Sequence, residues 1–137
     1  MGRLRRLARR VGRRGAALAW FGLLDLVIGW SLLSPSLAAS PAALAQYRVL
    51  LQVRPLAFWG WVWIAVGLVC LAHVPARSDR LAFAAAIAIK AVWSSGIFAA
   101  WVAYSAYRAW VSGTVWATFG LFVLLIAGWP EPRHHGG

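Results

Sequence analysis

Leu81 to Tyr104 reads LAFAAAIAIKAVWSSGIFAAWVAY, and Lys90 is its only charged residue. At 1.5 Å rise per residue, a helix of this length runs roughly 36 Å, more than the ~30 Å hydrocarbon thickness of a bilayer. Three further stretches of the same character complete the pattern: Ala16 to Leu33, Leu56 to Val74 and Ala109 to Trp129. Together they fill most of a 137-residue chain, which leaves no large soluble domain in which they would be interior helices. A composition that is 62% hydrophobic and 12% charged points the same way. The expected fold is all-α, a polytopic integral membrane four-helix bundle over residues 16–129. An arginine-rich segment, 1–15, precedes it and a tail, 130–137, follows.

The connections set the packing. Pro75 to Arg80 and Ser105 to Arg108 are short, so the spans that they join should pack as antiparallel neighbours. The first connection is longer. Within it, Ser40 before Pro41 reads as a helix N-cap and first helical residue, and Pro55 supplies a stop after Arg54. This predicts one short helix lying along the outer membrane interface.

The formal net charge is +11, but its distribution says more than its sum. Arg3, Arg5, Arg6, Arg9, Arg10, Arg13 and Arg14 all precede the first span, and a four-span topology puts Arg77, Arg80 and Arg133 on their side. The other side receives Arg48, Arg54 and Arg108. Basic residues concentrate on the cytoplasmic side, so both termini are expected there, in the plasma membrane. Leu4, Leu7 and Val11 add one apolar stripe to the cationic segment, which suits a helix lying on anionic lipid headgroups, at about 1 kcal/mol per basic side chain. No base-reading groups are interleaved with the arginines, and nucleic acid is not an expected partner. A cleavable signal peptide competes for the same residues, given the basic start, the apolar run and the small residues from Ser36 to Ser40. The length of that run, and Asp25 at its middle, fit a retained span better.

Ten tryptophans need a physical reason. Trp30, Trp59, Trp61, Trp101, Tyr104, Tyr107 and Trp110 map near the outer ends of spans, and Trp20 and Trp129 near the inner ends, the positions of an aromatic belt among headgroups. Trp63, Trp93 and Trp116 map deeper. Glycines recur seven apart as Gly22 and Gly29, Gly60 and Gly67, and Gly113 and Gly120. Two helical turns put both members of a pair on nearly one face, where a neighbouring backbone can approach closely. The third span repeats the idea with Ala84, Ala88, Ala91 and Ser95. These faces either close one bundle or join copies in a homo-oligomer.

Asp25 lies nine residues past Ala16, and Lys90 lies nine past Leu81, in two spans that both run outward from the cytoplasm. Both therefore sit ~13 Å deep, near the midplane, where an ion pair between the first and third spans is geometrically available. Each charge costs about 2.5 to 3.5 kcal/mol at a helix centre. Leu, Ile, Val and Phe residues at about 0.3 to 0.6 kcal/mol each offset Asp25 within the first span, whereas the third balances Lys90 only narrowly and depends on neighbours or pairing.

Enzymatic chemistry finds no footing. Trp93-Ser94-Ser95-Gly96 is faintly similar to the serine turn of a rhomboid protease, but Trp93 occupies the place of the expected glycine, and His73 and Ser95 map to different depths. Cys70 and His73, one turn apart, are too few to hold a metal. A lone cysteine forms no intrachain disulfide. No catalytic residue, cofactor or metal is expected.

The stretches RPLAFWGWVWIAVGLVCLAH (54–73), DRLAFAAAIAIKAVW (79–93) and GWPEP (128–132) resemble small four-span membrane proteins of actinobacterial phages and prophages. That resemblance implies a holin-like role in membrane permeabilisation, without locating a functional residue. A channel or transporter using Asp25 and Lys90, and an accessory scaffold for a membrane partner, are the competing expectations. Small multidrug transporters also carry a carboxylate in the first of four spans, but here Lys90 would neutralise the acidic site that their cationic substrates need.

Overall fold

The structure, a computed structural model, describes residues 2–76 and 78–130, with side chains described from Gly12 onward outside position 77. Every regular element among them is a helix: α1 (Gly2–Leu32), α2 (Pro35–Ala38), α3 (Pro41–Ala45), α4 (Arg48–Val53), α5 (Leu56–His73), α6 (Arg80–Tyr104) and α7 (Ala109–Ala127). Four segments are long and apolar enough to cross a membrane: Gly12–Leu32, Leu56–His73, Arg80–Tyr104 and Ala109–Ala127. Gly12 interrupts α1 with φ 57° and ψ 179°, a backbone that glycine adopts without a Cβ penalty. The apolar part therefore begins four residues before the expected Ala16, and the last span ends at Ala127 rather than Trp129.

Short connections have local causes. Ser105 (φ 50°, ψ 36°) ends α6 in the left-handed region, and Arg108 (φ 53°) enters α7 from it, so the chain reverses within four residues. Pro75, which cannot continue a helical hydrogen-bond ladder, follows α5 by two residues. α5 and α7 each run back beside the helix they pack against most closely: α5 beside α1 and α7 beside α6.

The glycines explain the first of these pairs. A Cβ at Gly29 would lie 2.6 Å from the Gly60 carbonyl oxygen, and one at Gly67 would lie 2.8 Å from that of Gly22. α1 and α5 thus touch backbone to backbone at two levels. Gly113 faces the Phe98 ring of α6, and Gly120 faces the stem of Lys90 at an ordinary 3.6 Å. All six glycines serve packing within the chain. The small residues Ala84, Ala88, Ala91 and Ser95 point out of it instead.

Two buried clusters fill the interior. One, around Trp59, Trp63, Trp93 and Ile97, lies towards the end of the bundle that carries Tyr47; the other, around Leu18, Phe21, Cys70 and Phe83, lies towards the end that carries Arg14. The outside is apolar as well. Trp20, Val27 and Trp30 of α1, Val92 and Val102 of α6, and Leu121, Phe122 and Leu125 of α7 are all exposed. So broad an apolar surface over a core that holds charge suits a lipid environment.

Two expectations need correction. The first connection forms three short helices rather than one. Ser40 does cap α3, accepting a hydrogen bond from the Ala43 amide at 3.3 Å, but α4 packs into the bundle by burying Leu50 in the notch left at Gly96. Trp59 is also not in an aromatic belt. It is buried, and its indole N–H donates to the Leu50 carbonyl at 3.1 Å, because α4 covers that end of α5 and α6.

Candidate functional site

The site is built where the two interior clusters meet. Asp25 shares its α1 face with Gly22 and Gly29, all three buried, and the close α1–α5 contact fixes where its carboxylate sits. Lys90 projects from the α6 face that also buries Ala86 and Ser94, with glycine rather than a side chain opposite its stem at Gly120. Its ammonium donates to Asp25 Oδ1 at 2.7 Å. Both side chains are 0% exposed.

Aromatic rings surround the cation. The Lys90 Nζ lies 5.2 Å from the Trp63 ring centroid and 5.7 Å from that of Phe21, distances at which ring quadrupoles attract a desolvated ammonium. Trp63 belongs to a continuous aromatic series. Tyr47 meets Trp93 at 5.1 Å, Trp93 meets Trp63 at 5.6 Å, Trp63 meets Trp116 at 5.0 Å, and Trp116 meets Phe119 at 5.9 Å. Burial pushes the pKa of the Tyr47 phenol at the head of this series above its ordinary value. The polar centre is incompletely satisfied. Asp25 Oδ2 and the Trp63 indole N–H are both buried without a hydrogen-bond partner in the protein. Such groups are costly, and they are the places where polar chemistry inside an apolar bundle is concentrated.

A second constellation closes the Arg14 end. Arg14 donates from Nε and Nη2 to both Asp79 oxygens at 2.9 and 2.8 Å, and from Nη1 to the Trp129 carbonyl at 3.0 Å. Its guanidinium also lies 5.1 Å from the Phe83 ring centroid. One side chain thus ties α1 to the start of α6 and the end of α7. Reading the arginines as topology markers misses Asp79. A sequence signal was present: Arg14 and Asp25 are eleven residues apart, as are Asp79 and Lys90, so both ion pairs have the same separation of 65. Eleven residues make three helical turns, so each helix repeats a charge on one face.

At the opposite end, Arg48 lies over the Tyr104 ring at 4.1 Å, and Gln52 donates to the Tyr104 hydroxyl at 2.6 Å. These contacts hold α4 against α6.

The remaining candidates do not converge. The His73 ring nitrogen Nδ1 is 2.8 Å from the Val69 carbonyl, and the Cys70 thiol donates to the Ala82 carbonyl at 3.7 Å. No group of three potential metal ligands occurs among the described residues. Ser95 is exposed on α6, and the Ser94 hydroxyl donates to the Ala91 carbonyl. Arg13 is exposed. Arg3, Arg5, Arg6, Arg9, Arg10 and the stripe of Leu4, Leu7 and Val11 fall where side chains are not described, and Arg77 and Arg133 lie outside the described residues. No known protein family, curated protein or solved structure matches this chain.

Proposed function

We propose that this is a non-enzymatic, multi-pass plasma-membrane protein, both termini cytoplasmic, that permeabilises the bilayer by associating with copies of itself, as holins do. The outward face of α6 carries the reading. Ala84, Ala88, Ala91, Ser95 and Ala99 recur every three or four residues on that helix, and all are exposed. The glycines face inward, which leaves this stripe as the surface where a second backbone can come close. In lipid, where apolar burial gives little drive between helices, such contact is the main source of association. Induced expression should leave cells growing until membrane potential collapses abruptly, after which a co-expressed muralytic enzyme lyses them. Ala88→Leu with Ala91→Leu should abolish oligomers and delay the collapse, because both positions point away from the core. Normal potential at high levels of inserted protein rules the reading out.

A second reading rests on the polar centre. Asp25 Oδ2, an unpartnered acceptor beside Lys90, is suited to taking up a proton or an ion in transit, and the unpartnered Trp63 N–H to donating a hydrogen bond to what enters. Its test is proton flux into vesicles reconstituted with the purified chain. Loss of flux in a folded Asp25→Asn variant would favour this reading over permeabilisation by assembly.

A further inference from the structure

The turn between α6 and α7 encloses an open cleft of about 490 Å³, lined chiefly by Trp101, Val102, Tyr107, Arg108 and Trp110. Its chemistry is mixed: Val102 and Tyr107 are 77% and 89% exposed, Trp101 and Trp110 about half so, and Arg108 contributes a cation at the rim.

The charge at this end of the bundle is one-sided. Arg48 lies over Tyr104 and Arg54 over Phe58, at 4.1 and 5.8 Å from the ring centroids. Among the described residues, the carboxylates are Asp25, at the centre of the bundle, and Asp79, at the other end, each already in an ion pair. Three arginines therefore share one rim without an acidic side chain among them. Of these, Arg108 stands at the cleft, where a planar fork of donors can hold two oxygens of one phosphate.

We infer that this cleft binds the headgroup of an anionic phospholipid, with the phosphate on Arg108 and the upper acyl chain along Trp101, Val102 and Trp110. The inference rests on the chain being a membrane protein, but not on its permeabilising activity. A free phosphate would use Arg108 alone. The exposed apolar wall running down α6 and α7 from that cation is what a lipid uses and a soluble anion does not.

The test is native mass spectrometry of the full chain in detergent, titrated in parallel with dioleoyl phosphatidylglycerol, dioleoyl phosphatidylcholine and inorganic phosphate. Phosphatidylglycerol should bind about tenfold more tightly than phosphatidylcholine, a difference of roughly 1.4 kcal/mol, and should weaken as ionic strength rises. Arg108→Asn should remove about tenfold of that affinity, since asparagine tolerates the left-handed backbone while deleting the charge. Arg80→Gln, exposed at the opposite end of the bundle, should leave it unchanged. Equal phosphatidylglycerol binding by the wild type and Arg108→Asn would overturn the site. Inorganic phosphate bound as tightly as the lipid would also overturn it. If Arg108→Asn does not fold, the wild-type preference and its salt dependence decide alone. Recovery of the chain outside the membrane fraction of expressing cells would defeat the membrane reading itself, an outcome separable from either result.

Discussion

Lys90–Asp25 and Arg14–Asp79 are ion pairs of nearly equal length, 2.7 and 2.8 Å, and they behave as opposites. The Arg14 pair is 17% and 18% exposed, bidentate, and supplemented by a carbonyl and an aromatic ring. The Lys90 pair is fully buried and rests on one hydrogen bond, with one carboxylate oxygen left unbonded. Distance does not rank them. Burial does, because a charge at the end of the bundle retains water if its partner is lost, whereas one in the centre has nothing to replace it.

The largest effect should come from breaking the central pair on one side. Asp25→Asn or Lys90→Gln should each cost about 3 to 5 kcal/mol, the penalty for stranding a buried charge. The double variant should regain a large part of the loss. Denaturant unfolding in detergent micelles, read as a double-mutant cycle, measures this, and additive losses would show that the two charges are not coupled.

Next in size is the contact that positions Asp25. Gly29→Ala forces a methyl against the Gly60 carbonyl and should cost about 1 to 3 kcal/mol. Gly120→Ala makes only an ordinary contact with Lys90 and should stay within about 0.5 kcal/mol of the parent. Equal costs at the two glycines would mean that close α1–α5 packing does not hold the carboxylate in place.

Smallest should be the pair at the end of the bundle. Arg14→Gln should cost about 1 kcal/mol, and roughly 0.5 M salt should shrink the difference by screening, while leaving the Asp25 variants unaffected. A loss at Arg14 as large as that at Asp25 would erase the distinction between the two sites.

Depth along a helix is fixed by its rise, which is why four long apolar helices, and the matched levels of Asp25 and Lys90, were legible before any packing was known. Partner choice was not. All three glycine pairs share one spacing, and nothing in that spacing says that Gly22 and Gly29 meet Gly67 and Gly60 while Gly113 and Gly120 meet α6. Trp59 departs from the aromatic belt because proximity to a helix end does not decide exposure; a non-local event, Leu50 seating at Gly96, does. Asp79 escapes any count of basic residues that orients the spans, although its eleven-residue spacing to Lys90 repeats that of Arg14 to Asp25.

That repeat constrains how the molecule can move. α1 and α6 run in the same direction, and the two ion pairs are rungs between them, roughly 16.5 Å apart and opposite in polarity. A piston-like slide of α1 by one turn, about 5.4 Å, would carry Asp25 off Lys90, the one basic side chain buried among the described residues, and Arg14 off Asp79. Axial sliding of this pair is thereby opposed at two levels at once. Lifting of α4 off Gly96, by contrast, leaves both rungs in place.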